Sequence, residues 1–581
     1  MNHQIVLKDA FKYTIDQDKI LPPGETVLRL REKLKKIDLD ILECAVRIDN
    51  GRLDIPVFFS KCGKDAMNVT GTRKYMGKGA TVQQAEASAM MELAERYSLF
   101  SFLENPDNFF VETYRNLKEK AISFDMIAQS VHDDSDDREI AEKIFENIPI
   151  KWALGHNLTR DKEVFIPFNW FFTINQFNGS SAGNCEEEAL LQGICEVVER
   201  HVSSIISQNR LKVPKIKTDK AANETVISMI QKYQSEGIKF YFSDFSLDMG
   251  IPTVGILAYD PLTFPKKSEI VWTAGTTTSP EKSLSRALTE AAQLAGDFNS
   301  GSNYLASGLP KLKTLKEAEY VISSEEQIDI DCLPDLSDKN IKVEIENCIN
   351  ALAKQKMEVL AVDIKHPLLE VPAFYTMIPG AFFRERAAGG VGMFASKLVF
   401  ENKKPYEAVK DLDKIENMLP GKYYIKFYLG SSFLAMGDPE TALKYFIQSL
   451  DCSPLQQDIV SIYSYIGICL KDMGKYHKAL EALTKGEKLD NERTDIYNLK
   501  GFCYFKLKEY EKAIENFKKV LQLDPGSAID YANIGSNYKE MGKNRKAVKY
   551  YELALQLDPS IDFALKNLIK LKKEFFIQAQ K

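Results

Sequence analysis

The chain has 581 residues, 44% of them hydrophobic and 27% charged, with a formal net charge of −6 at pH 7. That length calls for more than one core, and the composition is that of a globular protein. The acidic balance excludes bulk attraction to nucleic acid or an anionic membrane, so neither is expected as a partner.

From the N-terminus, MNHQIVLKDAFKYTIDQDK lacks the compact apolar core of a signal peptide. No run of about 18 apolar residues occurs, so no transmembrane helix is expected and a cytoplasmic location is. DIPVFFS at 54–60 reads as a strand, and GKG at 77–79 as the entry to a helix over 82–103. HDDSDDRE at 132–139 reads as an exposed acidic loop, and FNGSSAGN at 177–184 as a polar, turn-forming one. Further helices are predicted over 185–208, 222–236, 280–296 and 342–356. Between them KFYFSDFS, PTVGILAYD and MEVLAVDI carry the β-branched and aromatic residues of strands. AAGGVG at 387–392 reads as a glycine-rich turn. Residues 1 to about 400 therefore form a mixed α/β, α+β-class domain.

The last third repeats. Gly430, Gly467, Gly501 and Gly535 are each followed twelve residues later by Ala442, Ala479, Ala513 and Ala547, and Pro454, Pro525 and Pro559 end three of the units. This is the tetratricopeptide pattern of paired antiparallel helices, an all-α solenoid. Ala408 and Pro420 extend the register back to a degenerate half-repeat near Lys404, and IDFALKNLIKLKKEF closes the array as a capping helix.

Nine cysteines without a C-x-x-C pair and six histidines without H-x-x-x-H spacing exclude a disulfide framework and a zinc site. No G-x-x-x-x-G-K-[ST] is present, so a P-loop is excluded. The chemistry lies instead in acids set into apolar helices. Ser88, Glu92 and Glu95 share one helical face, and Arg286, Glu290 and Gln293 share another at the same spacing. Glu196, Glu199 and Arg200 lie on a third, with Glu188 in line with Glu199. Such acids suit a hard divalent cation, and arginines beside them suit phosphate oxygens. The same pattern also suits ordinary i,i+4 ion pairs. Lys78 is placed either to reach an anion or in a helix-entry turn. Asn184 suits either a base or ribose contact or a helix cap, Ser181 a base or ribose contact, and His201 either a proton donor or a packed histidine.

At these residues the chain resembles the YcaO family. The resemblance rests on GKGATVQQAEASAMMELAERYS at 77–98, NGSSAGNCEEEALLQGICEVVERH at 178–201 and RALTEAAQ at 286–293, in the family's order. It implies a YcaO-type catalytic fold over 61–400 and binding of ATP and Mg2+. It implies Glu92, Glu95, Glu196, Glu199 and Glu290 as metal ligands. It implies Ser88, Ser181, Asn184, Glu188, Arg200, Arg286 and Gln293 around the nucleotide, with Arg200, Arg286 and Glu290 the catalytic set.

The activity implied is O-phosphorylation of a peptide or protein backbone amide, for thioamidation or a related sulfur modification. The alternative is an accessory factor whose repeats recruit a client or a radical-SAM methylthiotransferase, as in ribosomal-protein β-methylthiolation. A sulfur-delivery or TfuA-like partner and a homodimer are expected as well. Azoline synthesis by a cyclodehydratase is less expected, because the chain reads FFIQAQK where such members carry P-x-P-x-P. The expected division is 1–60 (N-terminal part), 61–400 (ATP-binding domain), 401–419 (linker or half-repeat) and 420–581 (repeats with their cap).

Overall fold

The computed structural model describes all residues except 1–4, 15–17, 72–73, 134, 302–303, 305–307, 385–388 and 580–581. Part of AAGGVG, Ala387 and Ala388, lies outside the described residues. The chain divides into two compact units, one of residues 1–138 with 145–391 and the other of residues 139–144 with 392–581.

The first unit is built on three sheets, each feeding a long helix. A three-stranded antiparallel sheet runs Leu42–Arg47, Val57–Cys62 and Lys74–Lys78, and leads into the helix Val82–Glu104. A six-stranded sheet includes Ile150–Asn157, Leu360–Asp363, Ala373–Met377 and the short edge strand Ser180–Ala182. From that edge the helix Glu186–Asn209 departs. A five-stranded sheet pairs Val271–Thr276 with Thr253–Tyr259 at its edge, and the helix Pro280–Ala295 follows.

These helices start where the sequence supplies caps. Thr81 and Gln84 form a reciprocal capping box, Cys185 Sγ accepts from the Glu188 amide, and Pro280 fixes the first helical turn. Their apolar faces fill the core with residues such as Met90, Leu93, Val197, Leu284 and Leu288.

Two loop expectations are corrected. FNGSSAGN is not wholly loop, because Ser180–Ala182 pairs antiparallel with Ala373–Tyr375. HDDSDDRE is not wholly exposed: His132 stacks on Phe382 with centroids 3.7 Å apart, and buried Asp133 accepts from the Val391 amide at 2.7 Å. GKG is also not merely a helix entry, since Gly77 and Lys78 end a strand and only Gly79 and Ala80 turn.

The second unit is a helical array. Helix pairs run Tyr423–Ala435 with Pro439–Asp451, Gln456–Asp472 with Tyr476–Leu489, Thr494–Lys506 with Tyr510–Leu523, and Ala528–Glu540 with Asn544–Leu557. The helix Asp562–Ala579 caps them, and the stretch 401–419 holds the helix Pro405–Met418. The repeated glycine is the point of closest approach within each pair. A Cβ on Gly501 would meet the Phe517 ring at 2.7 Å, and one on Gly535 the Tyr551 ring at 2.9 Å. Among the described residues no helix is long and apolar enough to cross a membrane.

Candidate functional site

The three strand–helix units of the first domain share one register. Gly77, Ser181 and Gly275 are corresponding strand positions beneath their helices. A Cβ on Gly77 would lie 2.6 Å from the Ala85 carbonyl oxygen, and one on Gly275 2.7 Å from that of Ser283. Ser181 Oγ instead donates to the carbonyl of Ala189 at 2.6 Å. All three contacts fall eight residues along.

Eleven residues along come Ser88, Gln192 and Arg286, and fifteen along come Glu92, Glu196 and Glu290. Eighteen along come Glu95, Glu199 and Gln293, then Arg96, Arg200 and Leu294. The units also close into a ring. The first helix packs on the Ser180–Ala182 strand, the second on Val271–Thr276 and the third on Lys74–Lys78.

At each joint a group from the next strand meets a helix acid. Ser180 Oγ donates to Glu95 Oε1 at 2.6 Å, the Thr276 amide donates to Glu199 Oε2 at 3.0 Å, and the Lys78 ammonium pairs with Glu290. The first two helices carry their own guanidinium as well. Arg96 lies 3.5 Å from Glu92 and 3.3 Å from Glu95, and Arg200 lies 3.5 Å from Glu196 and 3.1 Å from Glu199. Buried acids persist in these apolar helices because each has a positive or hydrogen-bonding partner.

A cavity of about 270 Å3 opens at this ring. Of the predicted residues, Ser88, Glu92, Glu95, Asn184, Glu188 and Arg286 line it. Ser181, Glu196, Glu199, Arg200, Glu290 and Gln293 are not among its lining. Ser181 is buried and spends its hydroxyl on the helix backbone, so its place is in the strand–helix joint. Glu188 receives the Asn184 side-chain amide at 2.9 Å and the Ile20 backbone amide at 2.6 Å. That second bond draws the N-terminal segment over the cavity. His201 is packed: its Nδ1 accepts from the Phe382 amide at 2.9 Å, and burial and the nearby His132 lower its pKa to about 4.

Sequence reasoning passed over Lys19, Lys282 and Gln192, which line the same cavity. Gln192 and Lys282 had a legible signal. Gln192 shares the register of Ser88 and Arg286, and Lys282 that of Gln84 and Glu188. Lys19 belongs to no repeat, and only its place before Pro22-Pro23 and the helix they start marks it.

Burial opposes ionisation of Asp18, yet Lys282, Lys19 and Arg286 hold its carboxyl well below the usual range. Burial likewise opposes charging Lys19, but Asp18 and Glu188 outweigh it and raise the ammonium's pKa. Burial and Arg286 bring Lys78 down to about 7 against the pull of Glu199 and Glu92. Burial drives Glu95 up to about 8 despite Arg96, with Glu92 and Glu196 adding to the rise. Lys19, Lys282 and Arg286 therefore lie among the carboxylates Asp18 and Glu188, while Glu95 is shifted largely by burial, beside Glu92 and Glu196.

The family profile described as YcaO cyclodehydratase, ATP- and Mg2+-binding, matches residues 76–382, just over half of the chain. Tetratricopeptide repeat profiles match 494–527 and 531–561. An uncharacterised protein of Methanothermobacter thermautotrophicus is 28% identical over 381 residues, covering 62% of this chain and 93% of the relative. The ribosomal protein S12 methylthiotransferase accessory factor YcaO of Escherichia coli (strain K12) is 29% identical over 208 residues, 32% of this chain and 35% of that protein. The solved structure of a heterocyclase in complex with substrate and cofactor is similar in fold, with TM-score 0.56 and 20% identity over 67% of this chain and 56% of that one.

The cavity lining offers groups of the right chemistry for both ligands of that description. Lys19, Lys282 and Arg286 line the cavity where an anionic group would sit, and Glu92 and Glu95 line it as oxygen donors suited to a hard cation. Among the described residues no three acids, cysteines or histidines are gathered closely enough to hold a metal ion. Glu92, Glu95, Glu196, Glu199 and Glu290 are therefore not brought together as one metal cluster; each is engaged by Arg96, Arg200 or Lys78.

Proposed function

The chain belongs to the YcaO family, and from that premise we propose that the ring-shaped site takes Mg2+-ATP and activates a backbone amide of a peptide or protein by O-phosphorylation, for thioamidation or a related sulfur modification. The observation that carries this reading is the convergence of three acid-bearing helices and four basic side chains, Lys19, Lys78, Lys282 and Arg286, on one cavity. ATP would supply the phosphoryl group and Mg2+ the neutralisation of its charge.

The chain's own residues do the rest. Arg286, Lys19 and Lys282 bind and orient the phosphate chain, and Arg286 is held by the Gln192 side chain at 2.7 Å, which fixes its direction. Ser88, Asn184 and Glu188 line the nucleoside side of the cavity. Glu92, Glu95, Glu196, Glu199 and Glu290 would supply carboxylate to the metal, with Glu92 and Glu95 reaching it from the cavity lining. The partly buried setting lowers the local dielectric, so a fixed cation beside the transferring group acts with less screening than in bulk water.

The test is ADP release in Mg2+ with candidate peptides, with and without sulfide, read by mass spectrometry. Replacement of one oxygen by sulfur in the peptide is the expected product, and loss of one water would identify cyclodehydration instead. Absence of both ATP binding and ATP turnover, with any peptide, would sink the reading.

A second reading is favoured by the repeat unit and by the accessory-factor name of the Escherichia coli relative. In it the repeats recruit a client protein or a radical-SAM methylthiotransferase, with the nucleotide in a regulatory role. Cellular function that survives Glu199→Gln with Arg286→Ala but is lost on removing 392–581 would select it. A homodimer and a sulfur-delivery partner remain part of the proposal.

A further inference from the structure

The third unit of the ring departs from the other two. Where the first and second helices place Arg96 and Arg200 beside their own glutamates, the third has Leu294. Glu290 therefore has no guanidinium from its own helix at that position. Its cation comes from the neighbouring strand, as Lys78. The corresponding strand positions in the other units are Ala182 and Thr276, so this is the one joint of the ring at which the strand supplies a cation.

The partners also differ in freedom. Arg96 is pinned by the Ser180 hydroxyl at 2.9 Å and the Phe177 carbonyl at 3.3 Å, and lies over the Phe177 ring. Arg200 is held by Asn178 at 3.2 Å. Lys78 has a flexible stem, lines the cavity, and keeps its side chain 21% exposed against 15% for Glu290.

We propose that Lys78 is a built-in counter-cation that occupies Glu290 while the site is empty and is displaced when a divalent cation binds, swinging its ammonium to the anionic ligand. This rests on the reading of the cavity as a Mg2+-nucleotide site. A carboxylate in contact with an ammonium is a poor ligand for a dication, because the two positive charges repel at short range in a desolvated site. Exchange removes that conflict and carries a free cation to the phosphate side of the cavity, so metal and nucleotide favour each other's binding.

The experiment is Mn2+ binding to the full-length, nucleotide-free protein, followed by electron paramagnetic resonance, for the wild type, Lys78→Met and Lys78→Arg. Lys78→Met is expected to bind Mn2+ about tenfold tighter than the wild type, and Lys78→Arg no tighter. An unchanged or weaker affinity in Lys78→Met overturns the proposal.

Amine-reactive labelling of the wild type, read at Lys78 by mass spectrometry, supplies a measurement independent of any variant's folding. Lys78 is expected to become more reactive when Mg2+ is added without nucleotide, and an unchanged reactivity overturns displacement. A wild type that binds Mg2+-nucleotide while failing both tests refutes the role of Lys78 alone. A wild type that binds neither metal nor nucleotide refutes the nucleotide site on which the role depends.

Discussion

Replacing Gly77 with alanine probes the joint on which the site depends. Gly77 is the penultimate residue of its strand, directly beneath the first acid helix, and a Cβ there would lie 2.0 Å from the Ala89 nitrogen and 2.5 Å from its Cα. The first of these is about 1.5 Å inside an ordinary contact of roughly 3.5 Å. Both atoms are backbone, so no side chain can rotate away, and strand and helix must separate. Overpacking of this kind costs about 1–3 kcal/mol.

The functional cost is larger, because Ser88, Glu92 and Glu95 ride on that helix and line the cavity. A displacement of about 1 Å at reacting groups costs on the order of 100-fold in rate. Gly77→Ala should therefore retain its circular dichroism, lower the melting temperature by a few degrees and reduce ATP turnover about 100-fold. Ser181→Ala is the matched control at the same register. It removes one hydrogen bond to Ala189, worth about 1 kcal/mol, and should leave nucleotide affinity nearly unchanged. Wild-type melting and turnover in Gly77→Ala, or lost affinity in Ser181→Ala, would refute the assignment of these positions to the strand–helix joint.

Lys19→Met should weaken nucleotide binding by about tenfold in calorimetry, the scale of one lost charge-assisted contact of about 1.5 kcal/mol; unchanged affinity would remove the N-terminal segment from the site. Gly501→Val would drive a side chain into the Phe517 ring and should destabilise the repeat unit by about 1–3 kcal/mol, visible as a lower denaturation midpoint. His201 gives a pH signature. Its folded pKa, near 4, lies below the ordinary 6.5, so the unfolded chain binds the extra proton first. Stability from this residue is complete above about pH 6.5 and is lost as pH falls towards 4, by about 3 kcal/mol at most. Denaturant midpoints measured across that range should fall less steeply in His201→Asn, whose side-chain oxygen can accept the Phe382 amide without titrating.

Much of the molecule is written locally. The repeat unit follows from residues a fixed distance apart, because each helix pair buries its glycine against the aromatic or leucine of its partner. The acid helices are legible for the same reason: 3.6-residue periodicity puts Ser88, Glu92 and Glu95 on one face whatever the helix packs against. The resemblance of three blocks then carried the family, and with it ATP and Mg2+. Tertiary structure decided which atoms meet. Ser181, read with the nucleotide, is turned into its helix because the edge strand it belongs to forms only by pairing with Ala373–Tyr375. Lys19 reaches the cavity because the Ile20 amide bonds Glu188, a contact across 168 residues that no local pattern encodes. The ring that joins Lys78 to Glu290 likewise arises only when three separate sheets close on one another. Spacing along the chain specifies faces, whereas the partner of a buried charge is chosen by what the fold brings within a few ångströms of it.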